Sequence, residues 1–140
     1  MFSTLVLDSS VIVKWLNSVD EKDIDKADKI LSDALKGQSV LIAPELAKYE
    51  IGNVLLLKKK LPIAEAQFSI QALYNYPIQF VPESEELAKQ TYKVALKGGI
   101  TYYDASFIAL AQQENATLIT ENVKHQGKSQ GVRVTSLRDY

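Results

Sequence analysis

Short runs of apolar residues alternate along the chain with longer segments in which apolar residues recur every three or four positions. The short runs are rich in Val, Ile, Leu and Thr and do not alternate with polar residues. This pattern is typical of strands that are buried on both faces. We predict such strands at Leu5–Leu7, Val40–Ala43, Ile78–Pro82, Thr117–Thr120 and Val132–Val134.

The longer segments have the period of amphipathic helices. Pro44 suits the first turn of a helix, and Gly37 and Gly98-Gly99 are typical of helix ends. Strands separated by helices indicate parallel pairing through right-handed crossovers. We therefore expect an α/β protein, a three-layer α/β/α sandwich with a mainly parallel sheet, and a single domain over residues 1–140. The helices are predicted at Ser9–Leu16, Asp20–Leu35, Pro44 to about Lys60, Ile63–Tyr76, Glu83–Lys97 and Tyr102–Glu114.

Composition narrows the function classes. The 140 residues are 46% hydrophobic and carry a net charge of −1, which gives no support to a protein that coats nucleic acid. The lack of cysteine excludes thiol chemistry and cysteine-based zinc sites. The N-terminus has no signal pattern, and no apolar run is long enough to span a membrane, so we expect a cytoplasmic protein.

Asp8 directly follows the first predicted strand, in "TLVLDSSVIVKWL". In parallel sheets ligands bind outside the carboxyl ends of the strands, which places Asp8 on that edge. A carboxylate between two apolar segments needs a partner, because desolvating it alone is unfavourable by several kcal/mol. The alternative is that Asp8 or Ser9 only caps the following helix.

Two further acids are predicted to face inward. Glu50 shares a helical face with three apolar residues, Leu46, Val54 and Leu57, and Asn53 lies beside it one turn later. A functional carboxylate or a buried salt bridge would each explain this position.

The third acid is Asp104, which shares its face with Phe107, Ile108 and Ala111. Thr101 and Asp104 also fit a helix-capping box, which is an alternative explanation for their spacing. Inward carboxylates without basic counterparts indicate a hard divalent cation, Mg²⁺ or Mn²⁺. No Ser-His-Asp set or phosphate-binding glycine loop competes with this hypothesis, and the single histidine, His125, is predicted to lie on the surface.

Four segments together resemble a known family. "LVLDSSVIVKWL", "PELAKYEIGNVL", "ITYYDASFIALAQ" and "ATLITEN", in this order and spacing, resemble the PIN-domain nucleases, in particular the VapC-type toxins of toxin–antitoxin pairs. The resemblance covers essentially the whole chain. It implies an α/β/α fold and an endoribonuclease that depends on Mg²⁺ or Mn²⁺ and hydrolyses RNA phosphodiesters. It also implies a homodimer and an inhibiting antitoxin whose tail occupies the acidic site.

The resemblance assigns roles residue by residue. Asp8, Glu50 and Asp104 match the family's acids, with Asp8 and Asp104 as main metal ligands and Glu50 as a further ligand or the group that orients water. The hydroxyl of Ser10 would support the first acid. The residues that would position the metal shell or substrate are Ser10, Asn53, Thr120 and Asn122.

One position departs from the family pattern. Where an aspartate usually follows Thr120 by two residues, this chain has Asn122, and the adjacent Glu121 is expected to face the other way along an extended strand. A second metal position and full activity are therefore left open. The alternative is a weakened or silent PIN-like scaffold that binds RNA or a protein partner.

Two further points follow from the charges and the fold. Lys14 and the run Lys58–Lys60 are candidates for contacts to an RNA backbone, although solvated surface charge is the simpler explanation for each.

A phosphoacceptor signalling domain is a third hypothesis, because such a domain would also gather acids at the strand ends. It requires a different order of acids and a strand-end lysine, so it ranks last.

Overall fold

The computed structural model describes residues 3–123 and 131–140. The strands are β1 (Ser3–Leu7), β2 (Ser39–Pro44), β3 (Ile78–Val81), β4 (Thr117–Thr120) and β5 (Val134–Ser136). The α-helices are α1 (Ser9–Leu16), α2 (Ile24–Leu35), α3 (Leu46–Asn53), α4 (Ile63–Asn75), α5 (Glu85–Gly98) and α6 (Tyr102–Glu114). From β1 to β4, two α-helices separate each strand from the next, which agrees with the predicted pattern of strands separated by helices.

The five strands form one parallel sheet in the order β3-β2-β1-β4-β5. In the register, Leu5 of β1 lies opposite Leu41 of β2 on one side and Thr117 of β4 on the other. The chain thus builds outward from β1 in one direction and then in the other. Right-handed crossovers place the helices of the two halves on opposite faces, which confirms the predicted α/β fold with a mainly parallel sheet.

The reversal of strand order at β1 creates a crevice at the carboxyl ends of β1 and β4. Helix α6 packs against β1, β2 and β4, and its residues Ala105–Ala111 are all buried. Small and apolar side chains over this stretch allow the close approach of the helix to the sheet. The first turn of α6 is thereby fixed beside the strand ends.

Several boundaries match the prediction and others differ for local reasons. The bounds of α1, α6 and β4 are those predicted. Helix α2 begins at Ile24 and not at Asp20, because Asp20 and Asp23 adopt left-handed backbone conformations with φ of 60° and 54°. Strand β5 begins at Val134, two residues later than predicted, and a short 3-10 helix follows at Leu137–Asp139.

The predicted helix from Pro44 to about Lys60 is interrupted. Pro44 ends β2, α3 covers only Leu46–Asn53, and Val54–Lys58 form a π-helical turn. His125 lies outside the described residues, so its surface position stays a prediction. Among the described helices, none has both the length and the apolar character needed to cross a bilayer.

Candidate active site

Asp8 lies between β1 and α1, at the carboxyl edge of the sheet. It occupies the position before the helix, but its side chain makes no capping hydrogen bond. Its Oδ2 atom instead accepts hydrogen bonds from the hydroxyls of Ser10, at 2.6 Å, and Thr120, at 3.1 Å. Burial raises the pKa of Asp8, against the effect of these two hydrogen bonds, and the negative charge of Asp104 raises it further. Asp8 therefore joins α1 to the end of β4.

Glu50 lies in α3, and its Oε1 atom accepts a 2.7 Å hydrogen bond from the hydroxyl of Ser9. Burial raises the pKa of Glu50; the Ser9 bond lowers it, and the charges of Asp8 and Asp104 raise it. Among the described residues no lysine or arginine forms a salt bridge with Glu50. The buried salt bridge considered from the sequence is therefore not found.

The prediction of which apolar residues share a buried face with Glu50 is wrong in part. The buried residues of this segment are Ala47, Ile51 and Leu55, whereas Leu57 is 64% exposed. The π-helical turn after Asn53 changes the angle between successive residues, so an ideal helical wheel fails over this stretch. Glu50 lies at the border of the buried face, which is why it is only partly buried.

Asp104 lies in the first turn of α6. The hydroxyl of Thr101 accepts a 3.1 Å hydrogen bond from the backbone N–H of Asp104, so the predicted cap by Thr101 is confirmed. Within the described ranges, the carboxylate of Asp104 has no hydrogen bond or ion pair of its own. Capping therefore uses the backbone of Asp104 and leaves its carboxylate free to face the other two acids.

The three acids come from segments far apart in sequence and lie within electrostatic range of one another, since Asp104 acts on the pKa of both Asp8 and Glu50. They do not reach mutual ligand distances: no group of three Asp, Glu or His side chains in residues 3–123 and 131–140 is close enough to enclose a metal ion. The hydroxyls of Ser9 and Ser10 hold Glu50 and Asp8 against α1.

Thr120 is fully buried, donates its hydroxyl hydrogen to Asp8 and accepts a 3.0 Å hydrogen bond from the backbone N–H of Asn122. Ser10 also contacts Asp8, as predicted. The side chain of Asn53 is exposed at the end of α3, and that of Asn122 is exposed beside a surface cavity of about 480 Å³. The structure thus joins Ser10 and Thr120 to Asp8 directly, whereas among the described contacts neither asparagine side chain bonds to any of the three acids.

Ser9 is the residue that sequence analysis did not assign to this site. It was considered only as a helix cap, whereas its hydroxyl binds Glu50. The two consecutive hydroxyl residues directly after Asp8 were the one sequence feature that could have indicated a role for Ser9. Nothing local in the sequence, however, indicates that its partner lies in another helix.

Lys14 was a candidate for contact with an RNA backbone, with solvated surface charge as the simpler explanation, and its burial contradicts both. Its side chain is completely buried and forms ion pairs with Glu21, at 3.1 Å, and with Glu121. Lys59 is also paired within the protein, since it forms a 2.7 Å ion pair with Glu21 and its side chain is only 9% exposed. Lys58 and Lys60 remain exposed.

The chemistry of the donor set fits a hard divalent cation. The three acids offer carboxylate oxygens only, and both hydroxyl donors to Asp8 reach the same oxygen, Oδ2. Magnesium and manganese prefer such oxygens, and Mg²⁺ usually retains several waters, which allows carboxylates to hold it across a wider gap. Burial, and to a smaller extent repulsion between the acids, raises the pKa of Asp8 and Glu50, and a bound cation would offset both effects by stabilising the charged carboxylates.

A family model described as the PIN domain matches residues 5–127. The chain belongs to the PIN domain family. The predicted resemblance is therefore confirmed, and the match includes every site residue predicted from the sequence.

Individual proteins are also similar to this chain. Ribonuclease VapC3 of Pyrobaculum aerophilum is 29% identical over 120 residues, which are 83% of this chain and 87% of that protein. VapBC2 of Rickettsia felis, in a structure bound to a promoter DNA fragment, has a TM-score of 0.71 and 17% identity and covers 95% of this chain and 98% of its own. VapC20 of Mycobacterium tuberculosis, described as a Sarcin-Ricin loop cleaving toxin, has a TM-score of 0.63 and 11% identity and covers 81% of this chain and 86% of its own. At these identities the two solved structures establish a shared fold.

Proposed function

We propose that this PIN-domain protein is an endoribonuclease that depends on Mg²⁺ or Mn²⁺ and hydrolyses RNA phosphodiesters, and that it is the toxin of a toxin–antitoxin pair in the cytoplasm. The observation that carries the proposal is that Asp8, Glu50 and Asp104 lie within electrostatic range of one another at the carboxyl edge of the sheet, with no basic residue paired to any of them among the described residues. The likeness to Ribonuclease VapC3 supports the choice of RNA as substrate.

Each residue then has a definite task. Asp8 and Asp104 hold the cation, and Glu50 is a further ligand or orients the attacking water. When bound, the cation activates water and offsets the negative charge that develops on the phosphoryl oxygens. Ser10 and Thr120 fix the orientation of the Asp8 carboxylate.

The remaining positioning is assigned to amides and surface cations. Asn122, in the turn after β4, positions the cation shell or substrate through its amide oxygen, and Asn53 lies one turn after Glu50 on the same helix. Lys58 and Lys60 are exposed and suit contacts to the RNA backbone. Such contacts carry no sequence information and weaken with salt.

An antitoxin partner agrees with the apolar surface of α4. Phe68 and Ile63 are each 76% exposed, and Phe68 lines two adjoining cavities of about 370 and 310 Å³. An exposed apolar groove of this kind suits the apolar face of a partner helix. A second exposed apolar set, Tyr92, Leu96 and Tyr103, is the surface that we propose for a homodimer.

A silent PIN-like scaffold is the second candidate function. It is favoured by Asn122, which lacks the charge of the family's usual aspartate, and by the pairing of Glu121 with Lys14, which removes Glu121 as a substitute ligand. The scaffold would bind RNA or a protein partner without cleaving either.

The two candidates separate in one experiment. Manganese binding and RNA cleavage are measured in parallel for the wild type, for Asp8→Asn and for the matched control Asp25→Asn, an exposed acid on α2. Cleavage that requires the cation and is lost only in Asp8→Asn supports the nuclease. Binding of RNA or partner without cleavage by any of the three proteins supports the scaffold.

A further inference from the structure

Lys14 is fully buried, and its ammonium group is saturated with acceptors. The three hydrogens of a lysine ammonium have three partners here: Glu21 Oε1 at 3.1 Å, the carbonyl of Lys22 at 2.5 Å, and Glu121. These partners lie in the segment after α1 and in the turn after β4. Lys14 therefore joins three parts of the chain at one point.

The contacts of Lys14 continue toward the candidate active site. Glu121 stands between Thr120, which binds Asp8, and Asn122, whose N–H binds Thr120. The N–H of Glu121 also donates a long hydrogen bond of 3.5 Å to the hydroxyl of Ser10, which itself binds Asp8. The backbone of this turn is thus held on the Asp8 side, and its one acidic side chain is held on the Lys14 side.

The opposite end of the network is also fixed. The second oxygen of Glu21 pairs with Lys59 at 2.7 Å, and Lys59 donates a further hydrogen bond to the carbonyl of Val19. Lys14 is completely buried, so its ammonium group needs its acceptors, because a buried charge left without partners is strongly unfavourable. The partly exposed carboxylate of Glu121 is one of these acceptors, and the pair anchors the turn to α1.

From these contacts we infer that Lys14 is a positioning residue of the site. It draws the Glu121 carboxylate away from the three acids and fixes the turn 120–122 so that Thr120 and Asn122 border the cation position. The inference rests on the proposed cation-dependent function. It assigns Lys14 to the geometry of the site and withdraws it from contact with RNA.

For the substitution Lys14→Met, the change in charge and the change in geometry predict opposite changes in the affinity for Mn²⁺. Loss of a positive charge, and release of the Glu121 carboxylate, would by electrostatics alone tighten the binding of Mn²⁺. Loss of the anchor should instead weaken it, by about tenfold, the usual effect of removing a group that orients metal ligands. The measurement is Mn²⁺ affinity by calorimetry on the full chain, at a temperature where circular dichroism shows the variant folded. Unchanged or tighter binding overturns the inference.

A double-mutant cycle with Asn122→Ala tests the route of the effect. If Lys14 acts through the turn, Lys14→Met has little further effect on Mn²⁺ affinity in the Asn122→Ala background. A full additional loss in that background overturns the inference. The matched control is Lys29→Met, which breaks the exposed pair with Asp33 and leaves the affinity unchanged.

A milder variant covers the case in which Lys14→Met does not fold. Glu121→Gln keeps the side-chain length and removes the ion pair with Lys14. Hydrogen exchange of the backbone N–H of Asn122, which donates to the Thr120 hydroxyl, should become about tenfold faster. Unchanged exchange overturns the inference. This readout needs no cation, so it separates the inference from the proposed function: if the wild type binds no Mn²⁺, the proposed function fails, and the exchange result alone decides the role of Lys14.

Discussion

The hydroxyl of Ser9 donates a 2.7 Å hydrogen bond to the carboxylate of Glu50, which lies 41 positions later in the chain. The bond ties the first turn of α1 to α3 and fixes an acid that has no basic partner among the described residues. It places Glu50 on the same side of the sheet edge as Asp8.

The Ser9→Ala substitution removes this donor and should lower the cleavage rate by about tenfold, the usual effect of losing a hydrogen bond that orients an active-site group. Parallel measurement of kcat and Mn²⁺ affinity then distinguishes the two roles of Glu50. A fall in kcat alone assigns Glu50 to the attacking water, and a fall in affinity assigns it to the cation. The control is Ser18→Ala, which removes the hydroxyl of an exposed serine. If Ser9→Ala changes neither kcat nor the affinity for Mn²⁺, the prediction is contradicted.

Asp8→Asn should stabilise the metal-free protein at neutral pH. The pKa of Asp8 is raised in the folded chain, so the folded state binds a proton more tightly than the unfolded state. Its contribution to stability is therefore favourable at low pH. It is lost as the pH rises from the unfolded pKa, about 4, through the folded pKa. The asparagine keeps an oxygen for Ser10 and Thr120 and carries no charge.

The measurement is urea unfolding in the presence of a chelator. At pH 7 the variant should be more stable by about 1 kcal/mol, the usual size of a single-substitution effect, and the difference should shrink toward pH 3. Addition of Mn²⁺ should raise the melting temperature of the wild type and not of Asp8→Asn. A variant that is less stable than the wild type at pH 7 contradicts the prediction.

Asn122→Asp restores the acid that the family usually has at this position. A fourth carboxylate beside the site should tighten Mn²⁺ binding several-fold and increase cleavage, and the added like charge should lower the stability of the metal-free protein. Gln113→Glu adds the same charge on the exposed part of α6 and serves as the control. Equal effects of the two variants would mean that position 122 is outside the cation shell.

Two glycines offer a matched test of the fold apart from the site. Gly99 ends α5 with a φ of 61°, so Gly99→Ala should lower the free energy of unfolding by about 1 kcal/mol. Gly52 lies within α3, and a Cβ there meets nothing within 4 Å, so Gly52→Ala should stabilise by about 0.5–1 kcal/mol. Chemical denaturation measures both, and shifts of the same sign in the two variants contradict this account.

The fold was predictable because its main signals are local. Non-alternating apolar runs indicate buried parallel strands, and the bounds of α1, α6 and β4 follow from the pattern and the caps. The positions of Asp8 and Asp104 were predictable for the same reason, since each stands at the junction of an element with the sheet edge. The π-helical turn that follows α3 was not predictable, because its residues have ordinary helical propensities.

The burial of Lys14 could not be predicted from the sequence. Its three acceptors come from Glu21, Lys22 and Glu121, and no period or motif joins positions 14, 21 and 121. Seen along the chain, Lys14 is a cation on a short helix and suits an exposed contact. Only the packing of the segment after α1 against the turn after β4 buries it.

Helix α6 carries Asp104 in its first turn and is buried without interruption over Ala105–Ala111. Displacing this acid would require the helix to slide against the sheet and open the interior of the protein. A natural or synthetic inhibitor therefore has little to gain by deforming the proposed site. The economical strategies are obstruction of the entrance to this site and capture of the proposed cation, and both act on the protein while it stays fully folded.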